Sequence, residues 1–282
     1  MTAAPPGPAP TGGPLLTDWT GWRHHPAPDA RILSLVPSLT ETLFTLGLAE
    51  NLVGRTAFCV HPADRVRAIK SVGGTKQVNW RKVRAARPSH VVLNVDENPK
   101  ELAEELEAQG IIPVVTHPLT PDDNGAVIRL LGGVFGRVDA AEALAQEFAE
   151  KHAALAARRP AQQTRVLYLI WKSPWMTVGR ETYISRFLDL IGWRTWDAGS
   201  DARYPEVTMT DELLADVDLV LFSSEPFPFK DEHLAEFRDA FPRHEAKVRK
   251  IDGELVSWYG SRSLKGLAYL EELATVVDAS RS

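Results

Sequence analysis

The chain has 282 residues, 44% of them hydrophobic, and a formal net charge of -5. That length accommodates two domains with proper cores, and the acidic balance excludes the basic surface that a nucleic-acid partner requires. The single cysteine, Cys59, excludes an internal disulfide and a cysteine-built zinc site, and no stretch has the apolar length of a membrane-spanning helix.

Residues 1–29 are rich in Pro, Gly and Ala and are expected to form a disordered tail. Trp19, Trp22, His24 and His25 are its exceptions, suited to packing on the body or to a metal. The tail has neither the basic start nor the apolar run of a secretory signal. The chain as written is therefore expected in the cytoplasm, or in the periplasm if its start is misassigned.

Residues 31–36 (RILSLV) predict a short buried strand ended by Pro37. Ser38–Glu41 reads as a capping box opening a helix over 39–46, with Gly47 closing it. A strand at 51–56 leads to a loop with Phe58, Cys59 and His61, and a second loop spans Gly73–Lys76. Asn79 is placed to cap a helix over 80–86. Residues 89–110 predict strand, loop and helix, with Asn98 as N-cap, Pro99 as first helical residue and Gly110 as stop. A strand at 112–115 and a helix at 123–135 follow.

Residues 138–159 carry Val138, Ala141, Leu144, Ala145, Phe148, Ala149, Leu155 and Ala156 on one helical stripe. Asp139 in the first turn and Arg158–Arg159 in the last suit the helix dipole, and Pro160 ends the run. At 1.5 Å per residue this helix is roughly 33 Å long. The second block predicts a strand at 165–171, an aromatic loop over Trp171–Met176, a helix at 182–191 stopped by Gly192, and a strand at 193–196. It continues with a short helix at 210–215, strand, loop and helix over 218–237, a strand at 248–251 and a helix at 262–277. The 218–237 segment repeats the order of 89–110, which points to internal duplication.

Alternating strands and helices predict an α/β fold: two lobes with mostly parallel central sheets, joined by one long backbone helix. The division is a tail at 1–29, an N-terminal lobe at 30–136, the backbone helix at 137–160 and a C-terminal lobe at 161–282. Ligands of such sheets bind beyond the carboxyl ends of the strands, so the loops after the strands are expected to face each other across a cleft. The candidates are Phe58, His61, Thr75, Lys76 and Asn94, with Asp96 and Glu97 beside them, from the first lobe. From the second they are Trp171, Lys172, Trp175, Met176, Glu225, Phe227, Phe229, Trp258, Tyr259 and Arg262. An aromatic wall with few charges suits a flat, partly apolar ring, and Lys172 and Arg262 suit its carboxylate or phosphate groups. The plainer alternatives are inter-lobe core for Trp171 and Phe227, ordinary surface for His61, and a solvated turn for Asp96 and Glu97. No nucleophile elbow, HExxH or P-loop occurs, and Gly132-Gly133 with Gly136 lies on a helix rather than after a strand. No catalytic residue and no metal site is therefore expected; a Cys59–His61 thiolate pair is the one reactive arrangement left open.

The stretch RILSLVPSLTETLFTLG (31–47), with VGRTAFCVHP, VGGTKQVN, WKSPWMTVGRETYISRFLDLIG, RYPEV, SSEPFPF and DGELVSWYGSR further on, resembles the class III substrate-binding proteins of ABC importers. These are the helical-backbone metal receptors of the cobalamin- and iron-siderophore-binding type. The resemblance covers about residues 31–277. It implies a transport-associated binding protein rather than an enzyme, with no intrinsic cofactor. Cobalamin or another metal chelate is the implied ligand and an ABC permease the implied partner. Phe58 and Trp258 fall on aromatic pocket positions of that family. Thr75 and Asn94 stand where its cobalamin-binding branch has tryptophans, and the aromatic load moves to Trp171 and Trp175. The family docks its permease through one carboxylate per lobe. Arg81 stands at the first of these positions, and the second falls near Thr210 or Asp211. Like charges oppose such docking, which leaves a cytosolic relative without a transporter as the variant reading. The remaining alternatives are a cytosolic enzyme or chaperone acting on such a cofactor through Cys59, His61 or Glu225, and a direct metal-ion receptor.

Overall fold

The computed structural model describes residues 16–281. The described residues separate into two compact units, 16–117 with 126–143, and 118–125 with 144–281.

The first unit opens with an antiparallel hairpin of β1 (Leu16–Thr17) and β2 (Arg23–His24). It continues through β3 (Ile32–Ser34), α1 (Pro37–Thr45), β4 (Leu52–Thr56), β5 (Ser71–Gly73), α2 (Trp80–Ala86), β6 (His90–Asn94), α3 (Lys100–Ala108) and β7 (Ile112–Thr116). The five later strands form one parallel sheet in the order β5-β4-β3-β6-β7. Every residue of β3 and β6 is buried, as parallel strands covered on both faces must be. Leu33, Leu35, Val91 and Leu93 from the sheet side pack with Val83 of α2 and with Leu102 and Leu106 of α3 in one core. Each such side chain contributes about 1.5–3 kcal/mol by leaving water.

Four expectations are corrected here. Residues 16–29 are not a disordered tail; residues 1–15 of that expected tail lie outside the described residues. The outward N–H of Val115 on edge strand β7 donates to the Asp18 carboxylate, and its carbonyl accepts from the Trp19 N–H. The hairpin thus covers a sheet edge that would otherwise be unpaired, a tertiary role that composition does not reveal. His24 binds the Asp18 carboxylate at 3.1 Å rather than serving a metal. The Ser38–Glu41 capping box does not form, because Pro37 already occupies the first helical position behind Val36 and places Ser38 inside the first turn. Asn98 does not cap α3 either. Pro99 is the N-cap, and the Asn98 amide instead accepts from the Asn94 N–H and donates to the carbonyls of Leu35 and Thr75. Asn79 does cap α2, accepting from the Lys82 N–H. Gly47 and Gly110 end their helices at φ 75° and 78°, where a side chain would be strained.

The helices α4 (Asn124–Val134) and α5 (Val138–Ala156) follow, and α5 carries the chain from the first unit into the second. Gly132 marks the corner between them. A Cβ there would lie 2.8 Å from the Arg137 carbonyl oxygen and collide with Ala141. The paired glycines therefore serve helix packing.

The second unit holds β8 (Thr164–Trp171), β9 (Met176–Thr177), α6 (Tyr183–Asp189), β10 (Trp193–Thr195), α7 (Asp211–Asp216), β11 (Leu219–Ser223), α8 (Asp231–Ala240), β12 (Val248–Ile251), α9 (Gly253–Ser257) and α10 (Ser263–Arg281). Strands β10-β8-β11-β12 run parallel, and β9 pairs antiparallel with β8. Thr182 and Thr210 cap α6 and α7, accepting from the N–H groups of Ser185 and Leu213. The run β8-β11-β12 with α8 reproduces the order of β3-β6-β7 with α3, as the similarity of 89–110 to 218–237 predicts.

Candidate functional site

In the first unit the loops after β4, β5 and β6 leave from the carboxyl edge of the parallel sheet, where α/β folds hold ligands. The Thr56 hydroxyl accepts from the Phe58 N–H at 3.2 Å, fixing a turn that leaves the Phe58 ring 61% exposed. Beneath it Cys59 is fully buried, its Sγ in contact with the hydroxyls of Thr40 at 3.0 Å and Thr56 at 3.1 Å. Burial pushes this thiol above its ordinary value despite those contacts. This disfavours the Cys59–His61 thiolate pair that the sequence left open: burial keeps the thiol protonated, and its sulfur contacts the Thr40 and Thr56 hydroxyls. His61 is half-buried in the same loop.

The loop after β5 is tied to the loop after β6. The Asn98 amide donates to the Thr75 carbonyl at 2.9 Å, and the Lys76 ammonium donates to the Asp96 carbonyl at 3.2 Å. Asn94 is buried, and its side-chain oxygen accepts from the Asp96 N–H at 2.8 Å. Its side chain thus shapes the loop after β6. Asp96 pairs with His117 at 3.4 Å. Val60 and Val95 are large, exposed apolar residues on these same loops. Sequence reasoning passed over them, although their place directly after strand ends was the available signal.

In the second unit the expected aromatic wall divides. Trp171, at the end of β8, is 41% exposed and meets the half-buried Phe227 edge to face at 5.5 Å. Phe229 is core, and the half-buried Trp175 packs against that core. Their rings stack at 6.0 Å, Phe222 of β11 packs against both, and Phe237 of α8 packs against Trp175. Phe229 is only 2% exposed. Met176 lies half-buried in β9.

The charges are also matched internally. Lys172 is bonded to Glu236 of α8. The Arg262 guanidinium is buried, bonds the Glu254 carboxylate at 2.9 Å and lies 4.9 Å over the Trp258 ring. Neither cation is the uncommitted ligand group that was expected. Trp258 and Tyr259 are buried, Tyr259 packing edge to face on Tyr183 at 6.0 Å. The Glu225 carboxylate accepts from the Trp258 indole N–H at 2.6 Å and from the Ser257 hydroxyl at 2.8 Å. Burial, with Glu254 and Asp252 nearby, pushes Glu225 above the ordinary glutamate value against those two bonds.

Arg81 is exposed on α2. Thr210 is the α7 cap, and Asp211 behind it accepts from His244 at 3.1 Å. Among the described residues, no group of three or more His, Cys, Asp or Glu side chains is placed to hold a metal ion, and no helix is long and apolar enough to cross a membrane.

Comparison with known proteins places this arrangement. The model of the periplasmic binding protein family matches residues 32–260. The vitamin B12-binding protein of Photorhabdus laumondii is 24% identical over 194 residues, 68% of this chain and 70% of that protein. The vitamin B12-binding protein of Vibrio cholerae strain O395 is 23% identical over 201 residues, 71% of this chain and 72% of that one. Among solved structures, the periplasmic vitamin B12 binding protein of Vibrio cholerae superposes with a TM-score of 0.77 at 18% identity, covering 89% of this chain and 98% of that chain. A periplasmic heme-binding protein from Roseiflexus gives a TM-score of 0.73 at 21% identity, covering 88% and 97%.

Proposed function

This chain belongs to the periplasmic binding protein family, and from that membership we propose that it is a solute-binding protein whose ligand is a flat metal chelate of the corrinoid or haem class. One observation carries the reading. Phe58 in the first unit, and Trp171 with Phe227 in the second, offer rings on loops at the carboxyl edge of a parallel sheet. A large planar ring gains about 0.5–1.5 kcal/mol per aromatic partner beyond the area it buries. Within the first unit, Val60 and Val95 add exposed apolar side chains on the loops after β4 and β6. The function is binding rather than catalysis, and the buried, protonated Cys59 fits no nucleophilic role. The partner in this reading is the permease of an ABC transporter, with the periplasm as the compartment; Arg81, exposed on α2, stands where the resemblance implies a docking carboxylate and opposes contact with a basic permease surface there.

The test is titration of the purified protein with cyanocobalamin, hemin and a ferric siderophore, followed by tryptophan fluorescence and melting temperature. A ligand that binds only the folded state stabilises it by about 2.7 kcal/mol at a hundredfold excess over Kd. One of the three is expected to quench fluorescence and raise the melting temperature. Absence of both responses with all three ends the reading.

A further inference from the structure

We propose that Glu225 is a positioning residue for this binding function. Its ionised carboxylate fastens the Trp258 segment to the loop that carries Phe227, and Phe227 is held ready for a ring-bearing ligand while that carboxylate keeps its charge. The inference rests on the proposed role of Phe227 as a ligand contact.

The clasp joins two loops that the sequence separates by more than thirty residues. On one side, Ser224 follows β11 and its N–H donates to the Ile251 carbonyl. Two residues beyond Glu225, the Phe227 N–H donates to the Ile170 carbonyl, beside Trp171. On the other side, Ser257 ends α9 and Trp258 follows it. Glu225 bridges them through a single oxygen, with the indole at 2.6 Å and the Ser257 hydroxyl at 2.8 Å. An indole N–H can only donate, so its buried partner has to be an acceptor. Bonds to an ionised acceptor are roughly twice as strong as neutral ones. Gly253 makes the approach possible, because a Cβ there would lie 2.7 Å from Glu225 Cγ. The Glu225 carbonyl is itself held by the Ser223 hydroxyl at 2.7 Å, which in turn contacts the Tyr168 hydroxyl.

The charged and titratable surroundings are all of one tendency. Asp252 and Glu254 approach from the start of α9, and Tyr168 lies beneath on β8. Tyr269 of α10 accepts from the Asp252 N–H. The Arg262 guanidinium is bonded to Glu254 and lies over the Trp258 ring. Glu225 therefore keeps its charge on two hydrogen bonds alone against burial and two like charges. It takes up a proton at milder acidity than an exposed glutamate, consistent with the direction of its shift. Protonation weakens the clasp on Trp258 and frees the Phe227 loop, so the ligand is held less firmly in acid.

The experiment has two arms. In the ligand-free protein, the indole ¹⁵N–¹H resonance of Trp258, identified by its loss in Trp258→Phe, is followed with pH. It is expected to titrate with one midpoint above the ordinary glutamate value of 4.5 and to stay fixed in Glu225→Gln. In the second arm, the affinities for cyanocobalamin and hemin are measured from about pH 7.5 to about pH 4.5. The wild-type affinity is expected to fall by up to about tenfold per unit below the same midpoint, with that fall absent in Glu225→Gln. Identical pH profiles in wild type and Glu225→Gln overturn the inference and leave the proposed function standing. Binding of neither probe at any pH removes the functional reading and the inference with it. Should Glu225→Gln fail to fold by circular dichroism, Ser257→Ala removes one donor and leaves the carboxylate. The midpoint must then rise, and an unchanged midpoint refutes the clasp.

Discussion

Replacing Asp18 tests whether the N-terminal hairpin is part of the folded body. Its carboxylate is wholly shielded from solvent and accepts along both oxygens. Oδ1 takes the Thr20 N–H, the Thr20 hydroxyl and the Trp22 N–H at 2.9, 2.7 and 3.1 Å, and Oδ2 takes His24 Nε2 and the Val115 N–H at 3.1 and 3.0 Å. In Asp18→Ala the turn donors near the surface regain water, but the buried His24 ring and the Val115 N–H lose their acceptor. Each buried donor left unpaired costs about 1–3 kcal/mol, and breaking a buried pair from one side costs about 3–5 kcal/mol. The expected loss is thus about 3–5 kcal/mol for Asp18→Ala, and about half that for Asp18→Asn, which keeps one acceptor oxygen. Burial opposes the charge of Asp18, yet the bonds from His24, Thr20 and Val115 outweigh it and hold the carboxyl below its ordinary 3.8. A depressed acid contributes stability above its unfolded value and loses it as pH falls through the folded one. The difference between wild type and Asp18→Asn should accordingly shrink in strong acid. The assay is urea unfolding followed by tryptophan emission, to which the exposed Trp19 and Trp22 of the same turn report directly. A change below about 0.5 kcal/mol, the range of ordinary surface substitutions, would show that the hairpin is not structural.

Phe58→Ala should leave the denaturation midpoint within about 0.5 kcal/mol of wild type while weakening hemin or cyanocobalamin binding; Phe229→Ala should cost about 3–5 kcal/mol of stability, as buried phenylalanines do. Equal effects on stability would contradict the division of the aromatic residues into exposed and core sets. Burial, with a smaller repulsion from His24, pushes His90 from 6.5 down to about 4. Between those values the unfolded chain takes up a proton that the folded one refuses, so stability falls with falling pH by up to about 3 kcal/mol. His90→Gln should flatten that window in pH-dependent melting. Gly132→Ala forces a methyl group against Ala141 and the Arg137 carbonyl at the α4–α5 corner and should cost about 1–3 kcal/mol by overpacking; a neutral outcome in thermal unfolding would mean that the corner opens freely.

Much of the order of elements was legible from local chemistry. The Asn79 cap and the glycine stops after α1 and α3 depend on a few neighbouring atoms. The long stripe of α5 depends only on helical period. The failures have a common form. Ser38 and Asn98 carry the right side chain for a cap, but a neighbouring proline took the position and long-range partners took the amide of Asn98. Of the candidate site, residue type and place after a strand drew attention to Phe58 and Trp171, and both rings are exposed. Nothing in the spacing could show that Lys172 finds Glu236, sixty-four residues on, or that Glu254 meets Arg262.

What the amino-acid order alone determined is the alternation of buried strands and helices, since period, capping and glycine placement act within a few residues of chain. Which rings face solvent and which charges remain uncommitted was decided only on folding. Phe229 shares the loop chemistry of Trp171 and Phe227, yet it is buried against Phe222 from a distant strand, with the half-buried Trp175 stacked on it. Exposure is a property of what the rest of the fold leaves uncovered, and that is settled by packing between segments far apart in the chain.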